Sequence, residues 1–515
     1  MKKLRIICRA SRLSLLQAEL VKQQLEAVEP GIVVEITGRS SRGDRELSVP
    51  LSSLDGTDFF TQELFEALQK KEAEIAVHSL KDMSAPHFFS HDAFAVVDRE
   101  DVRDLAVFNP DVPAKIKAGK TLIIGTCSPR REEMAVGFLK KALPQLHDNI
   151  SIEIRPIRGN VESRLQQVHE GAYDATILAT AGLNRLLRSE TEAHLPLASG
   201  LTVQELLKDK LLMLLPLFEC VPAPCQGAIV AEADPSNPHA VALLQRINHQ
   251  QLFTEATAEK QRAYQYGTGC LQKFGVATIQ SHQQSYLYAA GEDSRGRRFS
   301  EWTNLPTALH DGAVLFSSTD CMKDFFTYEW KDEILRIDQP VVFVANYKSL
   351  LQKSIASQLT QKKVWASGTK TWLELAKLGV WVQGSSDALG FETLLPVWQM
   401  PLFEMNAKDV CIVTHETAAE RWRKKGYHAA ANYRLQPTDY IWIAQQVGSA
   451  THLFWSSFAQ YEHYGQFAKP DAVHLCAGGE TAALLMSRGI QPVIFPTIKS
   501  FEQWRKLNIQ SHSVA

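Results

Sequence analysis

The sequence predicts an α/β protein built from several domains, and three observations carry that expectation. Apolar strands and amphipathic helices alternate along most of the chain. The 515 residues exceed what one hydrophobic core holds, so roughly three or four domains are expected. One strand after another ends in polar or cationic groups, the end at which such sheets bind ligands.

The elements follow in order. "LRIICRA" reads as the first strand and "SLLQAELVKQQLEAV" as the helix after it. "VVEIT" is the second strand, "DFFTQELFEALQKK" a helix, and "EIAVHSLKDM" a strand running into a loop. "TLIIGTCSPRREEMAVGFLKKAL", "ISIEIRPIRGNVESRLQQVHEG" and "DATILATAGLNRLL" repeat the theme of strand, small polar turn and helix. Such units predict a parallel sheet with both faces covered. From about residue 338 the chain holds an internal repeat. "SGTKTWLELAKLGV" (367–380) aligns without gaps on "AGGETAALLMSRGI" (477–490). Upstream of each lies an apolar strand ending in small polar residues, "VVFVANYKSL" and "HLFWSSFAQY". Two such units predict two flavodoxin-like lobes facing a cleft.

Composition sets limits. The chain is 45% hydrophobic and 22% charged, an ordinary globular balance. A net charge of −2 gives no global field favouring nucleic acid or membrane. No apolar run is long enough to span a bilayer, and the start "MKKLRIICRASR" reads as a strand rather than a signal peptide. A cytoplasmic monomer is expected. The eight cysteines are scattered, with no CxxC pair and no companion histidine spacing, so neither a disulfide framework nor a zinc site is expected.

The strand ends carry the chemistry. They present Arg9 and Ser11; Ser79, Lys81 and Asp82; Thr126, Ser128, Arg130 and Arg131; and Arg155, Arg158 and Arg164. Any one arginine alone reads as part of a solvated face. Recurring at the same structural position, they predict a site for several carboxylates or phosphates, which the guanidinium fork binds in two places. There is no GxxxxGK[ST] motif, and "GTCSPRR" is not a dinucleotide fingerprint. Asp82 is the one acid among these cations. It stays ionised there and either stabilises a positive intermediate or serves as a cap or partner for Lys81. Alternation in "AVHS" puts His78 on the buried strand face. In "YQYGTGCLQKFG" (264–275), Cys270 follows Gly267 and Gly269 in a turn, where a lone core cysteine is out of place.

"RASRLSLLQ", "SRGD", "AVHSLKDM", "REDVRDL", "IGTCSPRR", "RGNVESRL", "YDATILATAGLNRL", "CQGAI" and "GTGC" occur in the order found in hydroxymethylbilane synthase, or porphobilinogen deaminase. The chain resembles that family over about residues 1–330. The resemblance implies an enzyme that joins four porphobilinogens head to tail, releasing ammonia each time. It implies a dipyrromethane cofactor held by a thioether to Cys270. Ser79, Lys81, Asp82, Thr126, Ser128, Arg130 and Arg131 would hold this cofactor, with Asp82 as the catalytic aspartate. Arg9, Ser11, Gln17, Arg155, Arg158, Arg164, Arg185 and Gln226 would lie near the incoming ring. The fold it implies has two lobes like a periplasmic binding protein, 1–99 with 226–245 and 100–225, and a small α+β domain at 246–335. The strands of that domain read as "VATIQ", "SYLYAAGED" and "RRFSEW". The sequence departs from the family pattern at Thr57 and Asp58 in "DGTDFF", at "CSPRR", at Arg12, and in a longer segment containing "SETEAHLPLASGLTVQELLKDK".

Residues 338–515 resemble uroporphyrinogen-III synthase, which cyclises hydroxymethylbilane while inverting its last ring. Tyr433 in "ANYRLQ" matches a tyrosine expected to assist loss of the hydroxyl, and the first strand–helix unit is expected to be absent. Two other readings compete. One is a deaminase with a non-catalytic C-terminal domain. The other is a solute-binding protein, which would need export and would not need Cys270 or Asp82.

Overall fold

In this computed structural model, the described residues are 3–40, 61–192, 200–267, 272–306, 309, 312–331, 335–352 and 355–510. Cys270, Thr57 and Asp58 lie outside them. The first lobe opens with β1 (Lys3–Arg9), β2 (Val33–Arg39), β3 (Ile75–Ser79) and β4 (Phe94–Arg99). The chain then crosses to a second lobe with β5 (Asp104–Phe108), β6 (Leu122–Gly125), β7 (Ile152–Arg155), β8 (Ala175–Ala179) and β9 (Leu211–Leu214). It returns as β10 (Ala228–Ala233). The strand orders are β2-β1-β3-β10-β4 and β7-β6-β8-β5-β9.

The sheets correct one expectation. They are mixed rather than parallel: β10 runs antiparallel to β3 and β4, and β5 antiparallel to β8 and β9. The antiparallel strands are those bordering the two crossings, where the chain enters a sheet from the opposite end. The helices begin where caps predict. Ser11 accepts from the Ser14 amide, Ser128 from Arg131 with Pro129 in the first turn, and Asn160 from Ser163.

The helix Gln250–Tyr266 leads to a three-stranded antiparallel sheet of β11 (Lys273–Ser281), β12 (Gln284–Glu292) and β13 (Arg298–Thr303). Asp293 closes the β12–β13 turn by accepting from the Arg295 and Arg297 amides, both at 2.9 Å.

Two further sheets follow. Their strands are β14 (Leu315–Ser317), β15 (Phe326–Trp330), β16 (Val341–Val344), β17 (Lys363–Ala366), β18 (Val382–Ser385), β19 (Val410–His415), β20 (His428–Pro437), β21 (His452–Trp455), β22 (Val473–Ala477) and β23 (Val493–Phe495). The six-stranded sheet has the order β15-β20-β19-β16-β17-β18 and the four-stranded sheet β14-β21-β22-β23. All pairs are parallel except β15 with β20. The repeat is structural: the helix Thr369–Lys377 links β17 to β18 as Glu480–Ser487 links β22 to β23.

Strands of these two sheets lie upstream of residue 338, since β14 pairs with β21 and β15 with β20. Three residues long and followed by turns, β14 is too short for its own sequence to declare it.

The C-terminal region shares its core with the second lobe. Ile124, Phe138 and Leu139 pack in one cluster with Val342, Trp372, Leu375 and Val380. Leu105, Leu178 and Leu186 join Phe343, Trp365 and Trp398 in another. Trp372 Nε1 donates to the Ala142 carbonyl at 3.1 Å and Trp381 Nε1 to that of Leu212 at 3.0 Å. Among the described residues, no helix is long and apolar enough to cross a membrane.

Candidate active site

β3 ends at Ser79 and runs into a single 3₁₀ turn, Leu80–Asp82, which sets Lys81 and Asp82 between the lobes. Three anchors fix this loop. Ser79 Oγ and the Gln17 amide hydrogen-bond each other at 3.0 and 3.2 Å. Lys260, on the helix Gln250–Tyr266, donates to the Met83 carbonyl. Beneath the loop the buried Glu232 carboxylate meets three imidazoles, with Nε2 of His78, His87 and His91 at 3.1, 2.9 and 3.2 Å. Burial alone would raise the Glu232 carboxyl, but these hydrogen bonds hold it far below the usual carboxylate range. His78 is thus a structural ligand of Glu232.

The arginines divide into two groups. Arg130 and Arg131 are buried against Asp104, at 2.8 Å each through Nη2. They also donate to the carbonyls of Val221 and Ile177. Gln226 donates to the same carboxylate at 2.9 Å. Despite burial, the two guanidinium groups hold the Asp104 carboxyl well below its ordinary value. Asp104 lies in the "REDVRDL" segment but was assigned no role from sequence; an acid between arginine-rich segments is the signal that points to it. Arg130, Arg131 and Gln226 therefore form a hub that joins the crossing segments to the second lobe.

Arg158 and Arg164 flank the start of the helix Val161–His169. Burial pushes Arg164 down to about 10, with the positive charges of Arg131 and Arg158 adding to the effect. Burial also lowers Lys81, and Arg130 and Arg131 lower it further against the pull of Asp82 and Asp104. Two cations lowered by burial and by neighbouring guanidinium groups mark a cationic cleft suited to anions. Thr126 and Ser128 hydroxyls stand at the end of β6, Ser128 as the cap of the next helix. This donor set fits a group bearing several carboxylates.

Not every expected residue faces that cleft. Arg185 is buried, donating to Asp98 and to the Gly227 carbonyl at 2.7 Å each, so it ties the lobes together. Arg155 is exposed and paired with Glu153 at 2.7 Å. Ser11 caps a helix. Two departures from the family pattern meet: Arg12 reaches across to Glu190, in the longer segment, at 3.1 Å. Glu190 also accepts the amides of Val203 and Gln204 at 2.8 and 3.0 Å. In "CSPRR", the Cys127 thiol bonds the Ile157 carbonyl at 3.1 Å.

Residues 4–242 match the family model described as porphobilinogen deaminase, dipyromethane cofactor binding domain. Porphobilinogen deaminase of Chromobacterium violaceum is 36% identical over 279 residues, 54% of this chain and 80% of that protein. Those of Laribacter hongkongensis and Coxiella burnetii are each 33% identical, covering 52% and 55% of this chain and 78% and 82% of theirs. The chain belongs to the porphobilinogen deaminase family. The deaminase model ends at residue 242, and the C-terminal region has no family assignment.

Outside the deaminase match lies a second group of polar strand ends. The strands of both C-terminal sheets end in polar loops. β16 leads to Asn346 and Lys348, β17 to Ser367 and Lys370, β19 to His415, β21 to Ser456 and Ser457, and β22 to Gly478 and Gly479. The lobes touch at Arg421 and Glu480, 3.6 Å apart. Lys348 bonds the Tyr328 hydroxyl, and burial, with the charge of Lys370, pushes it down to about 8. Burial lowers His415 to about 4, helped by Arg421 and Lys348. Lys348, Lys370 and His415 escaped the sequence reading; the only signal was their place after apolar strands. Tyr433 is buried on β20, its ring 6.1 Å from Tyr328 and 6.0 Å from His415, and burial raises its hydroxyl above the ordinary tyrosine value. Among the described residues, no cluster of histidine, cysteine or acidic side chains could hold a metal ion.

Proposed function

We propose that the N-terminal lobes and the domain after them polymerise porphobilinogen into hydroxymethylbilane, and that the C-terminal lobes close this product as a uroporphyrinogen-III synthase. The observation that supports the first reading is the group of cations around Asp82, in which burial and neighbouring guanidinium groups lower Lys81 and Arg164. When bound, the dipyrromethane supplies the pyrrole end to which each unit is joined. Lys81, Thr126 and Ser128 hold carboxylates there, and the Arg130–Asp104–Arg131 hub adds charge and rigidity. Arg158 and Arg164 receive the acid groups of the incoming ring, each charge-assisted bond contributing about 1.5–3 kcal/mol. Asp82 accepts pyrrole N–H groups and stabilises the cation left when the substrate amine departs as ammonia.

Cys270 is the proposed tether. The helix leading to it is pinned beside the Asp82 loop. Lys260 holds Met83, and Glu259 accepts from Arg99, the Cys225 amide and the Thr278 amide at 2.9, 2.6 and 2.8 Å.

The synthase reading is supported by two sheets, parallel apart from the β15–β20 pair, whose strands end in small polar and cationic loops. Free hydroxymethylbilane closes unaided to the type I ring, so isomer analysis separates the readings. The intact chain fed porphobilinogen should yield mainly uroporphyrinogen III, and Tyr433→Phe a larger share of type I. Type I product from the intact chain would leave the C-terminal lobes without catalytic function.

A further inference from the structure

The deaminase lobes are joined by two connectors, residues 100–103 and 215–227, between β4 and β5 and between β9 and β10. One side chain from the C-terminal region touches both. Asp387 Oδ1 accepts the Leu217 amide at 3.0 Å, and its Oδ2 lies 3.6 Å from Arg103 Nη1. Arg103 is itself held by Asp101 at 2.6 Å and reaches the Ser385 carbonyl at 3.5 Å. Ser385 Oγ donates to Asp387 at 3.3 Å. Asp387 is buried. It and Ala388 adopt φ of 53° and 60°, in the left-handed region that non-glycine residues seldom occupy. Two such residues in succession mark a backbone bent to deliver this carboxylate.

The connectors also carry the partners of the cleft arginines. Asp104 directly follows the first, while the Val221 carbonyl and Gln226 belong to the second. We propose that Asp387 is a positioning residue for the deaminase reaction, stapling the two connectors so that the Arg130–Arg131 hub and the lobe angle are fixed from the C-terminal region. This inference rests on the deaminase reading of the N-terminal lobes. The charged groups facing Asp387 are Arg103 and, behind it, Asp101. Burial, opposed by Arg103, raises the Asp387 carboxyl to about 7, so the staple gains charge near neutral pH.

The test uses the full chain and two variants, Asp387→Ala and Asp387→Asn, the second keeping an acceptor for the Leu217 amide. Turnover should fall about 3- to 30-fold in the alanine variant, with the porphobilinogen KM changed less than about twofold. Enzyme-bound intermediates should shift in distribution, and the Leu217 amide should exchange faster with solvent. The asparagine variant should restore the amide protection, rescue part of the rate and lose any inflection near pH 7 in the wild-type rate profile. If the alanine variant fails to fold, the asparagine variant decides alone, through its rate and pH profile. Wild-type kinetics and pH profile in the folded variants overturn the staple. A wild-type chain that does not consume porphobilinogen overturns the deaminase reading instead.

Discussion

Asp82 and Glu232 lie on opposite sides of the same short turn, one facing the cleft and one buried beneath it. Asp82→Asn should keep the fold and lose about 10²-fold in turnover, because a neutral amide cannot stabilise a developing cation. Steady-state rates on porphobilinogen check this, and a rate within threefold of wild type would reduce Asp82 to a partner of Lys81. Glu232→Ala should destabilise by about 3 kcal/mol or more, since three imidazoles lose one buried acceptor. Denaturant unfolding measures the loss. Asp82 and Lys81 were legible because their motif is local. Glu232 was not, because its ligands come from distant segments and a single acid in an apolar strand carries no label; Asp104 stood beside arginines in the sequence, but the partners that give it its role lie far along the chain.

At the scale of elements, alternation of apolar runs and caps gave the strands and helices in order. It could not give strand direction, because β5 and β10 owe theirs to the crossings between lobes. Arginine position was legible but arginine duty was not. Arg158 and Arg164 stand at a helix start in the cleft, whereas Arg130 and Arg131 are spent on the buried Asp104 and Arg185 on the partly exposed Asp98. Arg164→Ala should therefore stall elongation, with trapped intermediates shifted to shorter chains. An unchanged ladder of intermediates by mass spectrometry would leave Arg164 a structural partner of the Gly159 carbonyl.

The whole molecule is more tightly joined than its sequence suggests. The apolar faces that unite the second lobe with the six-stranded sheet read individually as ordinary core, so their pairing was invisible. Trp372 is fully buried at that junction, and Trp372→Ala should cost about 3–5 kcal/mol. Thermal unfolding should show porphobilinogen consumption lost at the same lowered temperature as the C-terminal fluorescence signal. Asp387 adds a pH dependence. Its folded value of about 7 lies above the ordinary 3.8, so its contribution to stability is complete below about 4 and lost as pH rises through 7. The slope is up to about 1.4 kcal/mol per pH unit. Urea melts between pH 5 and 8 should show this decline in the wild type and a flatter curve in Asp387→Asn.

The intact mass of the purified full-length protein tests the central claim most directly. A deaminase primed on Cys270 should weigh more than its 515-residue chain by one dipyrromethane, and the increment should disappear in Cys270→Ser. A fully active protein at the unmodified mass would contradict the account.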